Sequence, residues 1–443
     1  MRLARKKGTS LPGLLMWRWR KTLLSEWLNQ LEQLIVVTGT NGKTTTTALL
    51  YSMLHDQDQP WITNQGGANL VQGLMAALSR HANWRGVLRV RKAVFEIDEA
   101  TFPLIMERVR PTLMVVTNIF RDQLDRYGEI DHALSMIQKG IALHEASQLL
   151  INADDPLTAF LGRNRSLTYA FSMDKEAIAS MTMVDSSEVR DGSFCLVCGH
   201  ELHYDGFIYS QIGYYRCLHC DFTHPDAEFI GSPRQDASLV VGELSGLPGE
   251  PSTLHVDLTG MYNAYNLLCA YSAARIVGAS PRRIQEGLRR FVSPTGRMQT
   301  FVGKQQSEIT LALIKNPTGA NGVLRAVVED VQTYAICLTI NDQDADGRDV
   351  SWLWDVDFES FVTRSNIRRY YCAGERALDM ALRLYYAGVR EEAMVIVEDL
   401  TTLPAVLFTL GQKTYVLSTY TALHRLAEWF ERESEKRGND LDE

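Results

Sequence analysis

The chain has 443 residues, too many for one ordinary hydrophobic core, so two or three domains are expected. With 45% hydrophobic and 22% charged residues it is neither disordered nor fibrous, and a net charge of -8 argues against a nucleic-acid surface as its main business. No stretch approaches the roughly 18 apolar residues of a membrane span, and no apolar segment of signal-peptide length follows the basic start, so a cytoplasmic protein is expected.

The N-terminal segment, residues 1–33, carries Arg2, Arg5, Lys6, Lys7, Arg18, Arg20 and Lys21 before its first acid, Glu26. Leu11, Leu14, Leu15, Trp17 and Trp19 are interleaved with these cations. The pattern fits either a segment that touches an anionic membrane surface or a helix docked on the body with a solvated basic face. From about Leu34 to Ala170, short apolar runs alternate with helical patterns, the signature of a parallel, doubly wound sheet. Leu34-Ile35-Val36-Val37, Val94-Phe95-Glu96-Ile97, Leu113-Met114-Val115-Val116 and Leu149-Leu150-Ile151 read as strands, and Thr44 to Leu54 as a helix. Asn152-Ala153-Asp154-Asp155-Pro156 closes the last strand as a turn.

Residues from about 190 to 225 are rich in Cys, Tyr and His, lack helical period and read as a small insertion. A polar connector, Gly242 to Ser252, and a helix from about Met261 to Val277 follow. Ser293-Pro294-Thr295-Gly296-Arg297 reads as a hinge. Beyond it, Ala335–Ile340, Ala393–Val397 and Thr414–Leu417 read as strands, Ala377–Ala387 and Ala422–Lys436 as helices, and the tail after Glu435 as frayed.

Between the first strand and its helix stands Gly39-Thr40-Asn41-Gly42-Lys43-Thr44-Thr45. Strand, glycine-rich loop, Gly-Lys-Thr and helix in that order is the context of a phosphate-binding loop. Its backbone N–H groups and the helix N-terminus face phosphate oxygens, Lys43 reaches the outer phosphates, and the Thr44 hydroxyl joins a Mg²⁺ shell. The insertion holds Cys195-x-x-Cys198 and Cys217-x-x-Cys220, eighteen residues apart. Two such knuckles can present four thiolates tetrahedrally, a closed structural Zn²⁺ site. His200, His203, His219 and His224 lie nearby, so a Cys₃His set stays open as a variant. The acidic run Asn341 to Asp349 follows a strand directly, where open α/β sheets place ligand sites. On residue chemistry alone it is either a functional loop or a solvated turn.

The shortened loop Gly-Thr-Asn-Gly-Lys-Thr resembles the Mur ligase family of amide-bond-forming enzymes. Over roughly residues 34 to 320, further segments are similar to it. Glu96 stands where that family has a magnesium-binding glutamate. Thr117-Asn118-Ile119 with Asp122 to Gly128 is similar to its Asn- and Asp-containing segment. Asn152-Ala153-Asp154-Asp155 matches its strand-end turn. Asn263 and Asn266, beside Tyr262, look like its adenine-side residues, and Arg297 like its hinge arginine. Two departures stand out: Gln123 replaces a family histidine, and Leu313-Ile314-Lys315-Asn316-Pro317 replaces a segment that handles the incoming amino acid. The cysteine ribbon, and the segment Ala345-Asp346-Gly347 through Asp349, Ser351 and Trp352, resemble the MurT-like subunits of lipid II isoglutaminyl synthase.

The resemblance implies an α/β protein. Residues 34–297 would form a Mur-ligase-type P-loop domain with the Cys₄ zinc-ribbon insertion, and 298–443 a smaller C-terminal α/β domain. ATP and Mg²⁺ would bind at the loop, with Thr44 and Glu96 on the magnesium. The implied activity is amidation of the D-glutamate α-carboxylate of lipid II through an acyl phosphate, near the inner face of the membrane. Ammonia would come from a GatD-like glutaminase whose Cys-His pair Asp349 completes, since none of Cys269, Cys337 and Cys372 sits in a Gly-flanked nucleophile turn. The alternative is a conventional amino-acid-adding Mur or folylpolyglutamate-type ligase.

Overall fold

A computed structural model describes residues 11–65, 69–121, 130–176, 178, 190–234, 238–243, 252–256, 260–303, 307–363 and 366–439. The segment Asp122 to Gly128, with Gln123, lies outside them.

The first half is built on a nine-stranded sheet. Its strands are β1 (Gln33–Thr38), β2 (Ile62–Thr63), β3 (Lys92–Glu96), β4 (Leu113–Val116), β5 (Gln148–Asn152), β6 (Thr168–Met173), β9 (Phe229–Pro233), β10 (Leu239–Glu243) and β11 (Ser252–Leu254). The order is β11-β10-β9-β6-β5-β4-β1-β3-β2, parallel from β2 through β9, with β10 and β11 antiparallel at the edge. Leu34 to Val37 are buried throughout. This suits a central parallel strand covered on both faces, which reads as a continuous apolar run rather than an alternating one. Each such fully buried side chain contributes about 1.5–3 kcal/mol.

One face is covered by the helices Val71–His81, Phe102–Met106 and Ile130–Ala142, the other by Lys43–Leu54, Met261–Ile276 and Pro281–Leu288. The inserted hairpin, β7 (Leu202–Tyr209) with β8 (Ile212–Cys217), feeds both cores. Tyr215, Cys217 and Phe222 pack in the first and Ile208, Tyr209 and Ile212 in the second.

The second sheet has six strands: β12 (Arg297–Val302), β13 (Glu308–Leu313), β14 (Tyr334–Thr339), β15 (Ile367–Ala373), β16 (Met394–Val397) and β17 (Lys413–Ser418). Their order is β12-β13-β17-β14-β15-β16, with only β12 antiparallel to its neighbour. β14 is central, between β17 and β15, so a crevice opens at its carboxyl end. Three expectations change. The connector from Gly242 to Ser252 starts and ends inside edge strands β10 and β11. The last helix runs Tyr420–Asn439, so its backbone stays helical past Glu435. The hinge reading ends at Arg297, which is already the first residue of β12.

Candidate active site

The phosphate loop leaves β1 at the middle of the sheet, where β3 and β4 flank it. Gly39 and Gly42 have φ of +119° and +81°, a backbone that only glycine adopts without strain. A Cβ on Gly39 would strike Thr117 and Asn118, and one on Gly42 would strike the Asn266 carboxamide. The loop is held from below by β4's exit. Asn41 N–H donates to Asn118 Oδ1 at 2.9 Å, Asn118 Nδ2 returns to Asn41 O at 3.1 Å, and Thr117 Oγ1 donates to Asn41 O at 2.8 Å. Thr40 N–H donates to Asn118 O at 2.9 Å, and Thr40 Oγ1 donates to Phe120 O at 3.2 Å.

Lys43 folds back over the loop. Its ammonium donates to Gly39 O and Thr40 O and forms a buried ion pair with Glu99 Oε1 at 3.0 Å. The Thr44 hydroxyl is half-exposed at the helix start, and Thr45 is buried behind it. Glu99 went unread in the sequence. Its signal was the cluster Glu96, Asp98 and Glu99 at the carboxyl end of β3, of which only Glu96 was given a role. Glu96 accepts from Asn69 Nδ2 at 3.4 Å and lies within electrostatic reach of Arg297 and Tyr420. Burial pulls the Arg297 pKa down, while Glu96 and Tyr262 hold it up. Arg297 therefore stands at the junction of the two sheets.

Asn263 and Asn266 are buried on the helix Met261–Ile276. Asn266 Nδ2 donates to Asn263 Oδ1 at 3.2 Å, and Thr46 Oγ1 donates to Asn266 Oδ1 at 3.4 Å. The pair therefore meets the phosphate loop directly. The second half reaches the loop as well. Asn316 Nδ2 donates to Asn41 Oδ1 at 3.0 Å, and Asn316 Oδ1 caps the helix Pro317–Val328 through Gly319 N–H at 2.8 Å. Glycines at two left-handed positions, a lysine in the loop, a half-exposed threonine hydroxyl and nearby carboxylates form a donor set that fits a magnesium nucleotide.

The cysteines converge. The four Sγ atoms of Cys195, Cys198, Cys217 and Cys220 lie within 4.8 Å of one another. The pairs Cys195–Cys220 and Cys198–Cys217 are 3.6 and 3.4 Å apart. Tetrahedral Zn²⁺ at the usual thiolate bond length spaces its sulfurs by about 3.8 Å, so the set fits that ion. The histidines have other partners: His200 and His219 stack on each other at 3.9 Å, His203 meets Asp205 and His224 meets Asp154. Among the described residues the candidate ligand group is four cysteines, without histidine.

The strand-end turn after β5 anchors this ribbon. Fully buried Asp154 accepts from His224 Nε2 at 2.7 Å, Ser172 Oγ at 2.6 Å, Tyr265 OH at 2.6 Å and Met173 N–H at 2.9 Å. Neighbouring Asp155 caps the helix Pro156–Gly162 and accepts from Ile119 N–H at 2.8 Å. Burial pushes its carboxyl up to about 7 against those donors. Arg325 reaches across from the second half to Ile208 O at 3.1 Å, and Arg121 pairs with both Asp191 and Asp355.

The acidic segment forms a built loop at the end of β14. Asp346 is buried and accepts from Thr421 N–H at 2.7 Å and from the Thr421 hydroxyl. Asn341 donates to Thr421 Oγ1 at 2.9 Å and accepts from Glu375 N–H at 3.0 Å. Asp342 pairs with Arg376. Asp349 is half-exposed, and its Oδ1 accepts from Ser351 N–H at 2.8 Å. Its other oxygen takes no bond from any described residue. Five residues further along the chain, Trp354 meets Tyr386 edge-on at 5.7 Å, with Arg383 over the indole. Leu378, Leu382, Tyr385 and Tyr386 on the helix Ala377–Tyr386 are exposed. The three cysteines outside the ribbon are buried, and burial pushes Cys337 and Cys372 up to about 12.

Fold and site together define a Mur-ligase-type protein: residues 37–206 match the Mur ligase middle domain. The fold is similar to that of a pseudomurein peptide ligase type C from Methanothermus fervidus, with a TM-score of 0.67 and 19% identity over 90% of this chain and 78% of that one. Residues 313–423 match the MurT ligase C-terminal domain. The lipid II isoglutaminyl synthase (glutamine-hydrolyzing) subunit MurT of Staphylococcus aureus strain COL is 33% identical over 97% of this chain and 94% of the relative. Its Streptococcus pneumoniae R6 counterpart is 32% identical over 94% and 91%. The chain belongs to the MurT family of Mur-ligase-like ligase subunits.

Proposed function

We propose that this chain activates the D-glutamate α-carboxylate of a lipid II stem peptide for amidation to D-isoglutamine, with ammonia supplied by a GatD-like glutaminase. When bound, ATP supplies the phosphoryl group that turns the carboxylate into an acyl phosphate, leaving ADP; ammonia would then attack the acyl carbon and release inorganic phosphate. The chain's own residues position and neutralise. Gly39 to Thr45 cradle the phosphates, with Lys43 as the cation in reach, and Thr44 and Glu96 hold Mg²⁺. Asn263, Asn266 and Arg297 line the nucleotide side. Asn41 and Asn316 keep the second half against the loop. Cys195, Cys198, Cys217 and Cys220 hold a structural Zn²⁺ that cross-links an insertion too small for its own core.

One observation carries the need for a partner. Asp349 spends one oxygen on Ser351, and its other oxygen takes no bond among the described residues, while the described thiols outside the ribbon are buried. A carboxylate so presented orients an imidazole, the third-member role in a nucleophilic triad. The exposed aromatic face at Trp354 and Tyr386 supports a docking surface. The reaction would take place in the cytoplasm, at the inner membrane face that holds the lipid substrate. Co-purification with a glutaminase, then a glutamine- and ATP-dependent assay on lipid II, tests the reading. Amidation that needs both chains and both cosubstrates is expected. Addition of an amino acid by this chain alone would instead establish the conventional ligase.

A further inference from the structure

The N-terminal helix Leu11–Trp19 docks and projects at once. Its Gly13 is buried against the helix Val71–His81 so tightly that a Cβ would collide with Gln72 O and Ala76 N. The following helix, Thr22–Leu28, buries Leu24, Trp27 and Leu28, and Trp27 Nε1 donates to Gly86 O at 3.1 Å. The body thus fixes which face of Leu11–Trp19 points outward. That face carries Leu11, Leu15 and Trp19, four residues apart and 56%, 60% and 83% exposed. An i, i+4, i+8 row of large apolar side chains on a helix already anchored by its opposite face is not core.

The helix itself and the two residues that follow it carry charge of one sign. Arg18, Arg20 and Lys21 close the helix, its first turn has no acid, and among the described residues only Arg20 has an acidic partner, Glu26 at 2.8 Å. Seven cations precede Glu26 in a chain whose total is -8, so positive charge is concentrated at this end. Leucines and a tryptophan flanked by cations match the depth profile of a bilayer surface. Apolar side chains enter the acyl boundary, the indole sits at headgroup level and the cations meet anionic lipid.

We propose that the Leu11–Leu15–Trp19 face, with Arg18 and Lys21, is a docking site for an anionic lipid bilayer. Its location suits a lipid-linked substrate. Gly13 lies on the first two turns of the helix Val71–His81, and Asn69, two residues before that helix, donates to Glu96 at 3.4 Å. The helix that carries the face is therefore anchored on the element that follows Asn69, the residue that meets Glu96. Only this purpose rests on the proposed activity; the binding does not.

Co-sedimentation of the intact protein with vesicles tests it. Binding to phosphatidylglycerol–phosphatidylcholine vesicles should fall with added salt and vanish on phosphatidylcholine alone. The pair Leu15→Asp, Trp19→Asp should lower binding at least about tenfold, and the pair Arg18→Glu, Lys21→Glu by about tenfold. All four side chains are exposed, so melting temperature should not move, and turnover of detergent-dispersed lipid II should match wild type. Equal binding of wild type and both variants would overturn the site, as would indifference to lipid charge. A dimer that the Leu15→Asp, Trp19→Asp pair splits would reassign the face to a second copy of this chain. Absence of turnover in wild type and variants alike, with vesicle binding intact, would count against the proposed activity and not against the site.

Discussion

The two halves end their central strands in loops of opposite character. At β1 the loop is saturated from within: Lys43 is turned onto Gly39, Thr40 and Glu99, and Asn41 is gripped by Thr117, Asn118 and Asn316. At β14 the scaffold is just as fixed, through Asp346, Asn341 and Asp342, yet half-exposed Asp349 has an oxygen that no other described residue bonds. The first loop carries its cation, its hydroxyl and its carboxylates within one chain. The second, on the proposed reading, holds one carboxylate of a set that a partner completes. If Asp349 completes a partner's triad as proposed, the contrast is that of a subunit rather than a whole enzyme.

The sharpest way to break this contrast is Asp349→Asn. Glutamine hydrolysis by the assembled complex should fall about ten-thousandfold, with ATP binding and thermal stability unchanged; normal hydrolysis would show that Asp349 is not the third member. Lys43→Met should lower ATP-dependent amidation at least about a thousandfold. Because Lys43 is buried beside Glu99, it should also cost about 3–5 kcal/mol of stability by stranding a buried carboxylate. Adding Glu99→Gln should recover most of that stability in a denaturant titration and none of the turnover. If the single variant melts like wild type, the ion pair is not a fixed feature of the free protein. Elemental analysis should find one zinc per wild-type chain and none in Cys217→Ser, whose melting temperature should also fall, since a three-thiolate ribbon no longer closes. A wild type free of zinc would refute the ribbon. The smallest effect belongs to the link between the halves. Asn316→Ala should cost about 1 kcal/mol, and a double-mutant cycle with Asn41→Ala should show coupling between the two sites.

What could be read in advance follows the range of the interactions. The β1–loop–helix unit and the two cysteine knuckles are local, so spacing alone exposes them. The acidic loop after β14 was visible as a place at a strand end, but the division of labour between buried Asp346 and half-exposed Asp349 depends on Thr421, far along the chain. Glu99 is hidden in the sequence because its partner, Lys43, stands 56 residues earlier, at the start of the helix after the neighbouring strand β1. Asn316 fell in a segment that departs from the family pattern, and its contact with Asn41 spans 275 residues. Strands β9 to β11 are short and polar in places, with a Gly inside β9 and β10, and give no period to follow. The anchoring of the ribbon on Asp154 needed the hairpin to fold back first, bringing His224 over a carboxylate 70 residues earlier.

The central claim, that the carboxylate activated at Lys43 meets ammonia delivered by another chain, is tested most directly by changing the nitrogen source. Lipid II amidation would be followed with ATP, using ammonium salt or glutamine, for wild type and Asp349→Asn, with and without the glutaminase. The account predicts that ammonium supports amidation by both proteins without a partner. Glutamine should support it only for wild type, and only when the glutaminase is present. Glutamine-driven amidation by the isolated chain, or undiminished glutamine use by Asp349→Asn, would contradict it.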